Sequence, residues 1–384
     1  MSKRPVAERI DADVIIIGAG IAGASAAAGL GAGCRVVLLE QEEVAGYHTT
    51  GRSAAFFAET YGNEAVRRLT TASKAFFLTP PAGFSDQPLM RERGGLYIAR
   101  ADQLASLEAL YRDKHAVLPS VTRVDADYIR AHVPLIRPDY ATAGVWDPDC
   151  RDIDVHALHQ GFLRQSRLAG GRLLTAARVV ALTYQQGHWQ TETAAGHLIH
   201  APIVINAAGA WADGIARLAG ARPLGLSPRR RTVAILPAPA ALAGNSWPLV
   251  LDADDQFYFK PESGRILTSP GDATPMLPQD VQPDIEDVAM AVARVEAVLQ
   301  CSFDRVERKW AGLRTFAPDD APVVGADPER PGFFWFAGQG GYGMQTAPAM
   351  SALIAGLVTT GRVPDALAEY GITAALYSPA RFAR

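Results

Sequence analysis

The chain is poor in several things that would narrow its function. It has three cysteines in 384 residues, Cys34, Cys150 and Cys301, widely spaced and without neighbouring metal-ligand patterns. A disulfide scaffold and a zinc site are therefore not indicated. It has no excess of basic charge: 37 Lys and Arg stand against 40 Asp and Glu, for a formal net charge of −3. Nucleic acid is not expected as a general partner, because phosphate binding needs a basic surface. No apolar run is long enough to span a bilayer; Val14 to Leu30 comes nearest, but it is short and its glycines are placed for a turn. Residues 1–13 are polar and charged and lack the apolar core of a secretory signal. The expected setting is cytoplasmic, with room for peripheral contact at the inner face of a membrane. Internal repeats and low-complexity tracts are absent too.

What is present begins at Asp13. Val14-Ile-Ile-Ile-Gly18-Ala-Gly20-Ile21-Ala22-Gly23 leads through a small-residue segment into Arg35-Val-Val-Leu-Leu-Glu40. This reads as a buried strand, a glycine turn, a helix and a second strand ending in a carboxylate. Gly18 lets the chain leave the strand sharply, Gly20 admits a pyrophosphate to the backbone, and Gly23 lets the helix approach the sheet. The helix N-terminus, at Ile21 and Ala22, offers N–H groups to phosphate. Glu40 falls where a ribose hydroxyl needs an acceptor. The pattern points to a dinucleotide, against the alternative of a glycine turn serving packing alone.

Further along, apolar spacing of three and four predicts helices over Asn63–Phe77, Gln103–His115, Val155–Leu168 and Ile285–Leu299. Residues 94–99 read as a strand. Pro202 to Trp211 reads as a buried strand delivering a small-residue turn. Between Pro223 and Arg314, alternating apolar strands such as Thr232–Leu236 and Gln256–Lys260, broken by Pro and Gly, suit an antiparallel sheet. At the far end, strand Gly332–Ala337, glycine loop Gly338–Gly343 and helix Gln345–Leu357 repeat the strand–loop–helix pattern. A second such loop is superfluous for a nicotinamide dinucleotide. Its N–H groups near Gly341 to Met344 suit the pyrimidine edge of a flavin, against the alternative of a glycine-rich strand-to-helix connection within the sheet.

Taken together, Gly46-Tyr-His-Thr-Thr-Gly-Arg-Ser-Ala-Ala55, Leu69–Phe77, Pro80–Phe84, Ala157–Gly161, Val204–Trp211, Arg222–Leu226, Trp310–Phe316 and Gln339–Thr346 resemble the flavoprotein superfamily of D-amino acid oxidases and dehydrogenases, nearest to its D-arginine dehydrogenases. The resemblance implies an α/β fold: a discontinuous Rossmann-like FAD-binding domain (10–80, 145–222 and 318–384) and an α+β substrate domain on an antiparallel sheet (81–144 and 223–317). It implies non-covalent FAD. Some relatives tether the flavin through a cysteine near the segment matching Trp310 to Pro318, and this chain has none there. Cofactor contacts are implied for Gln41, His48, Thr50, Gly51, Arg52, Ser53 and Ala54, for Val179, and for Ala207, Gly209 and Trp211. The C-terminal loop adds Gly338, Gly340, Gly341, Tyr342, Gly343, Met344 and Gln345.

The resemblance further implies oxidative deamination of a small-molecule amino acid substrate, with an electron acceptor that the residues do not identify. An arginine is the natural grip on an α-carboxylate, because its planar fork pairs both oxygens. Arg314 matches the carboxylate-binding arginine, Arg230 a second one, Tyr258 a phenol on the same group, and Tyr61 a tyrosine of the mobile loop that covers the substrate. The competing readings are a salt bridge from Arg314 to Asp319 or Asp320, and a solvated face for the Arg229-Arg230-Arg231 run. Two departures bear on specificity. The substrate-contacting histidine falls at Phe56, and the glutamate that binds a guanidinium falls at Gly95, with Glu92 near enough to substitute from a shifted loop. An unpaired guanidinium is costly to bury. The expectation is therefore a D-amino acid dehydrogenase shifted toward neutral or apolar side chains. Alternatives are oxidation of a secondary amine such as sarcosine or of a 2-hydroxy acid, and a flavin-binding module without turnover.

Overall fold

The computed structural model describes residues 9–238 and 247–382. The strand expected at the start of the chain is Val14–Ile17, with all four residues buried. It lies third in a six-stranded sheet ordered 172–174, 36–39, 14–17, 203–206, 333–337, 323–326, in which every pairing is parallel except that of the last strand. Buried on both faces, these strands show no apolar alternation. One face carries helices Ile21–Leu30, Glu64–Leu78, Val155–Leu168 and Gly343–Thr359 over a core containing Ile16, Leu38, Ile205, Phe336 and Leu353. The other carries a four-stranded sheet and helix Ala212–Leu218 over Ile15, Val37, Val204, Phe333 and Trp335.

Small residues set how closely the first helix docks. Ile21–Leu30 reads IAGASAAAGL, and a Cβ on Gly29 would lie 2.6 Å from Ser351 Oγ of the C-terminal helix. The Ser351 hydroxyl donates to Ser25 O at 2.6 Å. Both ends of the chain thus meet across a helix pair that a larger side chain would separate.

The stretch expected to be antiparallel contributes most of a ten-stranded sheet, whose path runs from Gln339–Gly340 through Arg308–Phe316, Ser227–Pro237, Arg265–Ser269, Tyr258–Glu262, Leu249–Asp252, Gly95–Ala99 and Ala143–Asp147 to Thr122–Asp125. All its pairings are antiparallel except that between Leu249–Asp252 and Gly95–Ala99. The boundary drawn at residue 145 falls inside strand Ala143–Asp147, and Gln339–Gly340 of the C-terminal segment pairs with this sheet. The helices lie close to expectation: Asn63 caps the helix at Glu64 by accepting from Val66 N, and the others run Leu104–Val117, Val155–Leu168 and Ile285–Val298. Among the described residues no helix is long and apolar enough to cross a membrane.

Candidate functional site

The two glycine turns and the large sheet enclose a cavity of about 560 Å³. At its phosphate end Gly18 adopts φ +101°, and a Cβ there would sit 2.5 Å from Ala207 O. A Cβ on Gly23 would sit 1.7 Å from Gly18 O, so this glycine is required by the closeness of helix and turn. Glu40 is 7% exposed; its Oε2 accepts from Ala19 N at 2.9 Å and its Oε1 from Glu42 N at 3.0 Å. The carboxylate thus braces the glycine turn as well as facing the cavity. Thr50 Oγ1 accepts from Ile21 N at 2.9 Å, tying segment 46–54 to the helix start.

That segment is sewn to strand Arg308–Phe316. Thr49 Oγ1 donates to Leu313 O at 2.7 Å, Arg52 Nη1 donates to Ala311 O at 3.0 Å, and Trp310 Nε1 donates to Arg52 O at 3.0 Å. His48 lies against Trp211, with centroids 4.6 Å apart, and its Nε2 is 2.8 Å from Glu42 Oε1. Of the expected cofactor contacts, Gly18, Gly20, Ile21, Ala22, Glu40, Gln41, His48, Thr50, Arg52, Ser53, Ala54, Val179, Ala207, Gly209, Trp211, Gly340, Gly341, Gly343 and Met344 line the cavity. Gly23, Gly51, Gly338, Tyr342 and Gln345 do not. Gly51 closes a turn by donating its N–H to Gly46 O at 2.8 Å, and Gln345 bridges Ala58 N and Thr70 Oγ1.

At the other end, Arg314 and Tyr258 line the cavity as expected, whereas Tyr61 and Phe56 do not, and neither does Arg230. Its guanidinium turns to the opposite face of the sheet and pairs with Asp287 at 2.8 Å, Asp284 at 3.5 Å and Asp272 at 3.7 Å. Arg231 lines the cavity instead. The register explains the correction: Arg229 lies opposite Arg314 and Arg231 opposite Gly312, so Arg231 and Arg314 share a face while Arg230 shares the other with Leu313. The alternative partners of Arg314 are engaged elsewhere, Asp319 with Arg381 at 2.7 Å and Asp320 with Arg229 at 3.5 Å.

Among the described residues neither Arg231 nor Arg314 has a carboxylate within ion-pair distance. Burial, and after it the neighbouring Arg314 charge, lowers the Arg231 pKa. Burial opposes the charge of Arg314 as well, but the phenols of Tyr61, Tyr258 and Tyr342 outweigh it and raise that pKa. Both guanidinium groups stay cationic and repel each other until an anion arrives. Among the described residues the buried Tyr258 Oη, on the face of Arg231 and Arg314, has no hydrogen-bond partner, and neither has the buried Thr315 Oγ1 at the next strand position. Arg231 Nε donates to Asp272 O at 2.7 Å, which leaves an orphaned phenol beside two cations that have no carboxylate, the mark of a ligand site.

Tyr61 packs between Phe56, 5.4 Å away, and Tyr342, 4.9 Å away, and its phenol is among those that raise the Arg314 pKa. Phe56 packs against the core of Tyr97, Val233, Leu251 and Tyr258, of which Val233 and Tyr258 reach the cavity. At Gly95 a Cβ would meet Cys150 Sγ at 2.8 Å, so that space is filled. Glu92 is no substitute, since its side chain is 89% exposed and pairs with Arg151 at 3.3 Å. Sequence reasoning missed Arg231, Thr315, Val233 and Gln339. Alternation could not single out Arg231, because Val233, Ala234, Ile235 and Leu236 are all buried and hide the period of the strand.

Two phosphate-type glycine turns joined by a long cavity, with an orphaned phenol beside an arginine pair, define a flavin-dinucleotide oxidoreductase. Comparison with known proteins agrees. Residues 13–357 match the model of the FAD dependent oxidoreductase family, DAO, and the chain belongs to that family. Hydrogen cyanide synthase subunit HcnC of Pseudomonas aeruginosa is 25% identical over 64% of this chain, which spans 58% of that relative's length. Among solved structures, L-proline dehydrogenase from P. horikoshii superposes with a TM-score of 0.78 at 21% identity, covering 98% of each chain. Glycine oxidase from Geobacillus kaustophilus superposes with a TM-score of 0.79 at 21% identity, covering 91% of this chain and 95% of that one. FAD is the cofactor. The cavity suits it: the Gly18 turn and Glu40 would hold the dinucleotide, while Gly340, Gly341, Gly343, Met344, Thr315 and Tyr258 would surround the ring. Cys34, Cys150 and Cys301 are not among the residues that line the cavity.

Proposed function

We propose that the protein oxidises D-amino acids to 2-oxo acids and ammonia, acting as a dehydrogenase on neutral or apolar side chains in preference to arginine. The observation that carries this reading is the pair of cavity-facing guanidinium groups, Arg231 and Arg314, without a carboxylate of their own. A substrate α-carboxylate would satisfy both, and the Tyr258 and Tyr61 phenols would supply further hydrogen bonds to it. Bound FAD supplies the two-electron acceptor that takes the Cα hydrogen as hydride. The chain's task is orientation: a carboxylate pinned at one end of the cavity fixes where Cα lies against the ring.

Asp255 is the carboxylate that feels the charges of both Arg231 and Arg314, but it does not line the cavity. The single carboxylate among the described cavity-lining residues is Glu40, bonded to Ala19 N, and the imidazole is His48, beside Glu42. The substrate amine therefore reacts in its neutral form. Phe56 and the filled space at Gly95 support the shift away from arginine, since neither position offers a carboxylate to a cationic side chain. The D-configuration and the dehydrogenase character rest on the family resemblance, and the cytoplasmic setting on composition and the polar N-terminal residues.

A second reading, oxidation of a secondary amine, uses the same anchor and is favoured by the likeness to a protein named L-proline dehydrogenase. Product analysis with an artificial electron acceptor separates the two. Ammonia and a 2-oxo acid from D-leucine, D-methionine or D-phenylalanine are expected. Turnover confined to sarcosine, with formaldehyde as product, would replace this reading with the second; D-arginine or D-lysine far ahead of the neutral substrates would refute the shift in preference.

A further inference from the structure

Lys114 is a buried cation that the reading above leaves unused. It lies on helix Leu104–Val117, is 6% exposed, and among the described residues has no ion pair. Its Nζ donates to Thr60 O at 3.4 Å and Thr60 Oγ1 at 3.3 Å, and sits 4.4 Å from the centroid of the Tyr97 ring. Thr60 Oγ1 in turn donates to Asp147 Oδ2 at 3.0 Å, whose other oxygen accepts from Asp149 N at 3.0 Å. Burial lowers the Lys114 pKa and raises that of Asp147. An ammonium is costly to bury, and two long bonds to one threonine are a small return for stability alone.

The position of that threonine supplies a reason. Residues 58–60 are held one after another by separate parts of the fold: Ala58 N donates to Gln345 Oε1 at 3.2 Å, Glu59 pairs with Lys74, and Thr60 accepts from Lys114. The next residue is Tyr61, whose ring lies 4.9 Å from that of Tyr342, beside Gly341, where a Cβ would sit 3.0 Å from Arg314 Nη1. We propose that Lys114, through Thr60, is a positioning residue that holds the Tyr61 phenol on the carboxylate anchor. The inference rests on the proposed anchor but not on which amino acid is oxidised.

The test uses FAD-loaded protein and benzoate as a carboxylate probe, with Kd read from the perturbed flavin spectrum. Lys114→Met should weaken benzoate about tenfold, no more than Tyr61→Phe does, because its effect passes through one hydrogen bond to a charged group. Flavin content and Tm serve as controls for folding. Thr60→Val, which keeps the Thr60 carbonyl but loses the hydroxyl, should fall between wild type and Lys114→Met. In a Tyr61→Phe background Lys114→Met should change Kd less than twofold, since coupled residues do not add. With an oxidised substrate, KM should rise while flavin reduction at saturation stays within about threefold. An unchanged benzoate Kd in Lys114→Met, or an undiminished effect of that substitution in the Tyr61→Phe background, overturns the proposal. Wild-type protein indifferent to benzoate and other small carboxylates would instead overturn the anchor itself.

Discussion

Replacing Arg231 and Arg230 one at a time tests the register on which the site depends. Arg231 faces the cavity and Arg230 the acidic group of Asp272, Asp284 and Asp287, although the two are neighbours of identical chemistry. A hydrogen bond to a charged partner contributes about 1.5–3 kcal/mol, and each 1.4 kcal/mol is tenfold in affinity. Arg231→Ala should therefore raise the substrate KM by about 10–150-fold with flavin content unchanged. Arg230→Ala should leave KM within about threefold. Its cost appears in stability, because the Asp272 side chain is only 5% exposed and loses a cation, so Tm falls by a few degrees. Steady-state kinetics and thermal melts on the two purified variants decide the matter. A near-normal KM in Arg231→Ala together with a tenfold rise in Arg230→Ala would show that the strand register is misread.

Further outcomes follow from the same geometry. Arg314→Ala should raise KM at least tenfold with FAD still bound; a near-normal KM would remove it from the anchor. Gly23→Ala places a Cβ 1.7 Å from Gly18 O, so the purified variant should hold little flavin, read from the ratio of visible to ultraviolet absorbance. His159, whose Nε2 lies 2.9 Å from Ala19 O, has its pKa lowered by burial. Its contribution is whole above the ordinary histidine value of about 6.5 and is lost as pH falls toward the folded value, so FAD retention should weaken in mild acid. Flavin fluorescence released against pH checks this. With no general base at the anchor among the described cavity-lining residues, kcat/KM should rise with pH along the ionisation of the substrate amine, and a substrate of lower amine pKa should shift the profile to lower pH.

The parts of the fold legible from residues alone are those where sterics leave one solution. Gly18 and Gly23 are such positions, and so is the run of small residues that lets helix Ile21–Leu30 dock against Gly343–Thr359. Arg314 was legible through the resemblance of the Trp310-Ala-Gly-Leu-Arg314 block to its family. Arg231 was not: three consecutive arginines in a strand buried on both faces carry no alternation, and only pairing with Arg308–Phe316 decides which faces the cavity. The tie of Glu40 to Ala19 N and the bridge of Gln345 between Ala58 and Thr70 depend on segments far apart in the chain, and local pattern does not encode them. Lys114 reads as an ordinary solvated position in an amphipathic helix. Its burial comes from packing over Tyr97 and Thr60, again a tertiary fact.

The most direct measurement is anaerobic mixing of the FAD-loaded protein with D- and L-amino acids while the visible flavin absorbance is followed. Bleaching by neutral D-amino acids, lost at low substrate in Arg231→Ala and Arg314→Ala but restored at high substrate, is the predicted result. Flavin that stays oxidised with every amino acid and amine tested, in protein that binds FAD fully, would contradict the account.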